Sequence, residues 1–371
     1  MKISKTNVVL ADHVVYTGLE IENGVIMHIG DVKDGLDLSD YYVVPGFIDQ
    51  HIHGSDNSDA MDGSQEALDR MAKSLLKEGT TSFLPTTMTG AFEQVDQALS
   101  AIKNYRQGAG ANVLGAHLEG PFINKTRVGA QPIEFVQAPS VEAFKRFKDH
   151  DVIKLITLAP EVDGADDLIQ YCKLNNVVVS IGHTSAKFSE VKHALEIGAN
   201  QFTHAYNAMT PLHHRDIGVV GAMYLLDGLR AELICDGIHS SKEAVELLYK
   251  NKGRDGIILI TDSMRAKYLK DGLSELGGQE VFVKEGKATL KDGTIAGSIL
   301  RMNVGVRNMM DYCNIPIYDA VYMASSMPAI NLGIKNKGFI KEGFDADLAV
   351  LDKNLEVVMT IVGGKIKYER E

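Results

Sequence analysis

The chain carries a pair of histidines that could share a metal ion. His51 and His53 stand two residues apart after an apolar run, and residues two apart in a strand point to the same face. The two would lie about 6–7 Å apart along the strand, which suits two imidazoles that meet one cation. One buried and one exposed histidine at a loop would give the same pattern. Because an isolated His-x-His pair is a weak motif, the other histidines and carboxylates must decide.

The same residue types follow most of the later apolar runs, so that six of eight predicted strands end in His, Glu or Asp. The first of these six strands carries the pair His51 and His53. The other five end in Glu119, in His183, in His204, in the pair Asp236 and His239, and in Asp262. In an α/β barrel, side chains at the carboxyl ends of the strands meet at one mouth. A mixture of imidazole and carboxylate favours Zn²⁺, Fe²⁺ or a similar divalent ion over Ca²⁺ or Mg²⁺. The sequence therefore predicts a divalent metal centre at that mouth.

Strand-like and helix-like segments alternate through the middle of the chain. The strand-like runs are Val43–Asp49, Thr81–Thr86, Val113–Glu119, Ile153–Ala159, Val177–His183, Gln201–Tyr206, Ala231–Asp236 and Ile257–Thr261. Amphipathic stretches separate most of them, such as the one that follows Ser64 with apolar Leu68 and Met71. This alternation predicts an α/β fold, a closed parallel (β/α)8 TIM-like barrel. A doubly wound open sheet is the alternative, but no Gly-x-Gly-x-x-Gly follows the first strand.

Both ends of the chain are richer in predicted strands than the middle. Residues 1–45 and 335–371 contain short apolar runs separated by turn residues, which is typical of strands and hairpins. We expect the two ends to build one small domain together. Residues 46–334 would then form a larger domain, inserted into it.

Composition and charge exclude several classes of protein. The chain has 38 Lys and Arg against 49 Asp and Glu, a formal net charge of −11, whereas nucleic-acid binding needs clustered basic residues. No run approaches the roughly 18 apolar residues of a membrane span, and the first residues lack the apolar region of a signal peptide. We therefore expect no nucleic-acid or membrane partner and a cytoplasmic location. The three scattered cysteines predict reduced thiols rather than a disulfide.

The combined motifs resemble those of a known family of enzymes. The His-x-His pair, the ligands on later strands and Asp262 are similar to the pattern of the amidohydrolase superfamily. Within it, several segments resemble the N-acetylglucosamine-6-phosphate deacetylases: His117–Phe122, Gly182–Thr184, Thr203–Met209, His214–Asp216 with Gly218, and Ala296–Ser298. Residues 337–348 resemble that superfamily's return into a small β-sandwich. The resemblance thus implies a barrel with a β-sandwich domain formed by both chain termini.

The resemblance also implies a set of metal ligands. Glu119, His183 and His204 would bind the catalytic ion. Some members of the family have Gln-x-Asn in place of His-x-His and use one ion. The presence of both His51 and His53 favours two ions over one in this chain, with Glu119 bridging them.

Roles in catalysis and substrate binding follow from the same resemblance. Asp262 would be the catalytic residue that transfers protons. Arg215 would contact the phosphate of the substrate, reaching into a neighbouring subunit of a homodimer or dimer-based oligomer. Gln131 stands where some members have histidine, so an amide would have to orient the substrate carbonyl. The complete set of implied substrate-binding residues is Ala130, Gln131, Asn207, Ala208, Arg215, Asp236, His239, Ile295, Ala296 and Gly297.

The implied activity is hydrolysis of a phosphorylated amino sugar, N-acetyl-D-glucosamine 6-phosphate, by a metal-activated water. The products would be D-glucosamine 6-phosphate and acetate, in amino-sugar catabolism or cell-wall sugar recycling. Another amidohydrolase, acting on N-acyl amino acids or cyclic amides, is the nearest alternative. A non-catalytic sugar-phosphate sensor on the same barrel is a second, and a purely structural metalloprotein a third.

Overall fold

Eight parallel strands form the centre of the computed structural model, which describes all 371 residues. In chain order these barrel strands 1 to 8 are Phe47–Ile52, Thr80–Thr87, Ala116–Glu119, Ile153–Leu158, Val178–Ile181, Gln201–Phe202, Arg230–Ile234 and Ile257–Ile260. Each is hydrogen-bonded to the next. Asp262, just after strand 8, donates its backbone N–H to the His51 carbonyl of strand 1 at 2.9 Å. The predicted (β/α)8 barrel is therefore confirmed.

Gly46 divides the first predicted strand into two. Residues Leu36–Pro45 belong to a second sheet, and barrel strand 1 begins at Phe47. A Cβ at Gly46 would come within 2.2 Å of Thr81 Oγ1, so only glycine allows the chain to pass this close to barrel strand 2. The short strands Asn112–Val113, Gly54–Ser55 and Ser58–Asp59 complete the barrel region.

Ten α-helices surround the barrel or follow it. They are Gln65–Leu75, Phe92–Lys103, Val141–Arg146, Ala165–Leu174, Phe188–Ile197, Gly218–Leu225, Lys242–Lys252, Met302–Cys313, Ile317–Ala324 and Ser326–Asn331. The first begins as predicted, because Ser64 Oγ accepts the Ala67 N–H at 3.2 Å and caps the helix. Its apolar side chains Leu68, Met71 and Leu75 are buried against the barrel region. None of the ten helices is both long and apolar enough to cross a bilayer.

Both chain ends contribute to one seven-stranded sheet. Its strands are Lys2–Val9, Val14–Glu22, Val25–Gly30, Leu36–Pro45, Leu348–Leu351, Val357–Val362 and Lys365–Glu369. At the join, Val43 pairs with Val350 and Val44 with Ala349. Alternate residues face opposite sides, so Val43 and Val350 enter the sheet's own core while Val44 and Ala349 join the barrel core. On this arrangement we propose the domain boundaries at residues 45/46 and 334/335.

A small antiparallel sheet that the sequence analysis did not predict lies between barrel strand 8 and the helix Met302–Cys313. Its strands are Gly272–Leu276, Gln279–Lys284 and Lys287–Thr289. The turns at Gly277-Gly278 and Glu285-Gly286 have positive φ at both central residues, as tight hairpin turns require. The alternation of buried Val281 and Val283 with exposed Phe282 was the available signal. This sheet borders the cavity described next.

Candidate active site

Left-handed turns at the strand ends direct several functional side chains toward the barrel mouth. His183, His204 and Asp262 follow barrel strands 5, 6 and 8 with φ values of 48°, 29° and 48°. A non-glycine residue in this region costs of the order of 1–3 kcal/mol, a strain that is concentrated at functional sites. The strand ends are thus shaped to bring these three side chains together.

Glu119, His183 and His204 form the first cluster of possible metal ligands. Glu119 Oε1 lies 3.2 Å from His183 Nε2 and 3.1 Å from His204 Nε2. The two Nε2 atoms are themselves 3.1 Å apart. All three residues are at least nine-tenths buried, so a single ion could contact all of them away from bulk water.

His51, His53 and Asp262 form the second cluster. Asp262 Oδ1 lies 3.2 Å from His53 Nε2 and 3.5 Å from His51 Nε2. The other oxygen of Glu119, Oε2, is 3.1 Å from His53 Nε2. The carboxylate of Glu119 therefore stands between the clusters: Oε2 faces His53, and Oε1 faces the first cluster and also lies 3.5 Å from His51 Nε2. This arrangement brings together all six residues expected to bind metal or transfer protons.

The hydrogen bonds of the imidazoles show that this site is built for cations. Nδ1 of His53 lies 3.1 Å from the Thr86 carbonyl and Nδ1 of His183 lies 2.8 Å from the Arg127 carbonyl. A carbonyl can only accept, so each Nδ1 carries a hydrogen and leaves a lone pair on the neutral ring's Nε2. Those lone pairs face the oxygens of Glu119. Electron-pair donors that point at each other need a cation between them, and this donor set fits a divalent metal.

The pKa values of the site respond to the same concentration of negative charge. Burial lowers the pKa of His53, but its hydrogen bonds to Asp262 and Glu119 and their charges outweigh burial and raise it to about 10. Burial likewise lowers the pKa of His51, yet Glu119, Asp262 and Glu232 hold it well above its usual value. Burial raises the pKa of Glu119, but His51 and the neighbouring imidazoles bring it well below its usual range. The cluster thus favours positive charge at its centre.

A cavity of about 390 Å³ opens onto these ligands. Of the predicted residues, its walls include Ala130, Gln131, Asn207, Ala208, His239, Ile295 and Gly297, together with His53, Glu119, His183, His204 and Asp262. The cavity is also lined by residues that were not predicted, among them Met88, Thr126, Arg127, Leu276 and Thr294. A cavity of this size suits a small polar substrate.

Four predicted residues do not line this cavity. His51 is fully buried beneath it. Asp236 lies behind His239 and accepts from its Nδ1 at 2.7 Å. Ala296 is buried against the small antiparallel sheet. Arg215 lies in an exposed segment and contacts its neighbour His214 at 2.5 Å. Within one chain, Arg215 therefore does not reach the cavity.

Gln131 contacts the metal-ligand cluster directly. Its Nε2 donates to Glu119 Oε2 at 2.8 Å, and its Oε1 accepts the Thr89 N–H at 2.7 Å. The side chain is 5% exposed and borders the cavity. Gln131 thereby fixes the rotamer of Glu119, a contact that its position in the sequence did not indicate.

Arg127 is the cationic side chain of the cavity wall that sequence reasoning missed. Its carbonyl holds His183, and its Nε donates to Ser185 Oγ at 3.1 Å. The signal was weak, because Arg127 stands in a loop seven residues after Gly120 with no periodic pattern around it. Only the folded chain brings this loop beside His183.

These features and the sequence agree on one family. A sequence model described as the amidohydrolase family matches residues 42–367. The chain belongs to the amidohydrolase family, in which the metal-dependent hydrolases of this barrel type are found. The resemblance of the chain's motifs to those of the amidohydrolase superfamily is therefore confirmed.

Individual relatives narrow the comparison to one kind of enzyme. The N-acetylglucosamine-6-phosphate deacetylase of Lysinibacillus sphaericus is 46% identical over 340 residues, covering 91% of this chain and 88% of that protein. The enzyme of the same name from Bacillus subtilis (strain 168) is 45% identical, covering 89% and 85%. The crystal structure of N-acetylglucosamine-6-phosphate deacetylase from Thermotoga maritima superposes with a TM-score of 0.93 at 36% identity over the full length of both chains. The resemblance to deacetylases is therefore confirmed over nearly the whole chain.

Proposed function

We propose that this protein hydrolyses N-acetyl-D-glucosamine 6-phosphate to D-glucosamine 6-phosphate and acetate. The observation that carries the proposal is the convergence of two three-residue ligand clusters on Glu119, at the base of a cavity sized for a small polar molecule. The names of the close relatives supply the substrate. The reaction would serve amino-sugar catabolism or cell-wall sugar recycling.

The metal centre of this proposal holds two divalent ions, zinc, iron or a similar metal. Glu119, His183 and His204 would hold one ion and His51, His53 and Asp262 the other, with Glu119 shared between them. Imidazole nitrogen and carboxylate oxygen suit these metals. When bound, a divalent ion at such a site polarises the scissile carbonyl and makes a water more acidic.

Asp262 transfers the proton in this mechanism. Burial raises its pKa, but the neighbouring imidazoles of His51 and His53 outweigh burial and lower it. Asp262 is therefore a carboxylate that can accept a proton at neutral pH. The oxygen of water bonds to the acetyl carbon while its proton passes to Asp262. Asp262 then gives that proton to the sugar nitrogen as the carbon–nitrogen bond breaks.

The remaining cavity residues bind and orient the substrate. His239 is held by Asp236, whose carboxylate accepts from the ring Nδ1 and from the His239 N–H, so its Nε2 edge is free for the sugar. Arg127 is the cationic residue of the same chain in the cavity wall, and we assign its guanidinium a contact with the phosphate. Asn207 and the backbone of Ala208, whose φ is 52°, complete the phosphate site.

Arg215 would complete the phosphate site of a partner subunit in a homodimer. Residues 211–216 are exposed, so the segment is free to reach a second copy of the chain.

We also propose the cytoplasm as the compartment. All three cysteines are free, as is usual for proteins of reducing compartments.

The alternatives account for fewer of these features. An amidohydrolase for N-acyl amino acids or cyclic amides would act on a different substrate from the phosphorylated sugar for which the relatives covering 91% and 89% of this chain are named. A sugar-phosphate sensor would have no need of Asp262 beside the ligand cluster, in a strained backbone conformation. The deacetylase therefore remains the proposal that uses all of the site.

Acetate release is the direct test of this function. The purified protein, loaded with Zn²⁺ or Fe²⁺, is incubated with N-acetylglucosamine 6-phosphate, with the unphosphorylated sugar as a parallel substrate. We expect acetate and free amine in equal amounts from the phosphorylated sugar, much less from the other, and loss of turnover after chelation. Hydrolysis of N-acyl amino acids in preference to the sugar phosphate would replace this proposal with the first alternative.

A further inference from the structure

We infer that Glu232 is a positioning residue that holds His51 in the tautomer and orientation needed to bind an ion at the His51–His53–Asp262 cluster. The inference rests on the metal centre of the proposed function. Glu232 lies on barrel strand 7, Arg230–Ile234, and its side chain is completely buried inside the barrel. A charged residue in such a place requires partners for both of its oxygens.

Three neighbours of Glu232 donate hydrogen bonds to it. Oε1 accepts from the amide Nε2 of Gln50 at 2.7 Å and from that of Gln201 at 2.8 Å. Oε2 accepts from the backbone N–H of His204 at 3.3 Å. Asn331 in turn donates to the amide oxygens of Gln50 and Gln201 at 3.1 Å and 2.5 Å. Gln50 Nε2 also donates to Gln201 Oε1 at 3.1 Å, and Gln201 Nε2 also donates to Ser180 Oγ at 3.2 Å. Because each amide oxygen accepts from Asn331, the network orients both amides with a nitrogen toward Glu232.

The fourth contact of Glu232 fixes the tautomer of His51. Oε2 lies 3.0 Å from His51 Nδ1. The other three partners of Glu232 are all donors. A protonated Glu232 could therefore donate its proton only to His51 Nδ1. The stable arrangement is a carboxylate that accepts from His51 Nδ1–H, and it leaves the lone pair of the ring on Nε2.

The position of His51 Nε2 shows what this tautomer is for. The atom is buried and makes no hydrogen bond, and it faces Glu119 Oε1 and Asp262 Oδ1, each at 3.5 Å. Metal-binding histidines commonly donate their second N–H to a carboxylate, which orients the ring and makes it a better ligand. Gln50, Gln201 and Asn331 extend this support from barrel strand 7 to the helix Ser326–Asn331.

Charge balance ties Glu232 to the number of ions. Glu119, Asp262 and Glu232 are three buried carboxylates in contact with the same imidazole, His51. The three carboxylates carry a charge of −3, so one divalent ion leaves −1 in this enclosed region and two leave +1, whereas without the charge of Glu232 two ions would leave +2. Removal of the charge of Glu232 should therefore weaken the second ion more than the first.

Metal content separates this role from a structural one. Wild-type protein, Glu232→Gln and the control Glu78→Gln are loaded with Zn²⁺, and bound zinc is measured by elemental analysis and by titration with a competing chelator. Glu78 is a suitable control because it is equally buried but pairs with Lys267 at 2.9 Å and contacts no imidazole of the site. We expect two ions in wild type and in Glu78→Gln. In Glu232→Gln we expect one ion at unchanged affinity and a second bound about 10- to 100-fold more weakly.

Two zinc ions at wild-type affinity in Glu232→Gln would overturn the inference, and so would a single ion in wild type. If Glu232→Gln does not fold, Glu232→Asp keeps the charge but withdraws it from His51, and the same weakening of one ion is expected. Acetate release tests the proposed function independently of these measurements. A protein that binds zinc as described but hydrolyses no sugar phosphate would contradict the function and leave the role of Glu232 standing.

Discussion

Asp262 is held between two imidazoles by a backbone turn, and its substitution should separate chemistry from binding. Asp262→Asn keeps the size of the side chain but removes the base, so we expect kcat to fall by ~10²–10⁴. The KM should change little, because the proposed role of Asp262 is to transfer a proton and other residues of the cavity bind the sugar. Steady-state kinetics with zinc content measured in parallel checks this, and near-normal turnover at full zinc occupancy would contradict the assigned role.

Arg127 gives a second prediction at the residue scale. Arg127 lines the cavity and its backbone carbonyl holds His183, so Arg127→Ala keeps that carbonyl contact but removes the guanidinium together with its hydrogen bond to Ser185. Loss of a charge-assisted hydrogen bond should raise KM for the phosphorylated sugar about 10- to 100-fold, with little change for the unphosphorylated sugar. Equal losses on both substrates would show that Arg127 does not bind the phosphate.

The metal-site residues that the sequence indicated share one property: they lie at or just after the end of an apolar run. Glu119, His183 and Asp262 could be recognised because a charged or polar residue that ends a buried strand must have a partner. Arg127 and Glu232 were not predicted, and the reasons differ. Arg127 stands in a loop without periodicity, and Glu232 lies inside a strand, where its neighbours become visible only when three strands and a helix are assembled.

At the level of elements, the turn after barrel strand 8 depends on the loop that packs against it. Ser298 donates its N–H to the Asp262 carbonyl at 2.8 Å, and a Cβ on Gly297 would lie 3.2 Å from the same carbonyl oxygen. Gly297 has a φ of 60°, so the loop passes close to Asp262 only because this residue is glycine. The loop thereby sets the position of the catalytic carboxylate.

Gly297→Ala should therefore lower kcat about tenfold or more, since small displacements of a reacting group have large effects on rate. Gly293→Ala is the matched control: its φ is 91°, but its Cβ would have no atom within 4 Å. Both variants should lose similar stability in thermal unfolding, and only Gly297→Ala should lose turnover. A parallel fall of kcat in both would assign the effect to backbone strain alone.

The elements themselves were predictable to different degrees. The barrel strands and their helices follow from periodicity and capping, as at Ser64. The small antiparallel sheet of residues 272–289 was not predicted, because its strands are short and partly exposed. They therefore lack the continuous apolar run of a barrel strand. The break at Gly46 was missed because both neighbouring strands are apolar, and only the approach of Thr81 reveals the need for glycine.

At the scale of the whole molecule, the exposed position of Arg215 predicts that two chains share each active site. Arg215→Ala and Asp262→Asn should each be nearly inactive. In a hybrid dimer, one site would combine the intact Asp262 of one chain with the intact Arg215 of the other. An equal mixture, unfolded and refolded together, should recover about a quarter of wild-type activity, because half of the dimers are hybrids with one working site each. No recovery, with hybrid formation confirmed by differently tagged chains, would show that Arg215 does not act across the interface.

The sheet that joins the two chain ends has a consequence for how the protein is made. Strand Leu36–Pro45 leaves the ribosome before the barrel, but its partner Leu348–Leu351 follows only after the entire barrel. At typical rates of synthesis this delay is on the order of half a minute. Throughout that time the nascent chain presents an open strand edge, which readily pairs with other chains. Messages truncated before codon 348 should therefore give aggregates, even though they encode every residue of the active site.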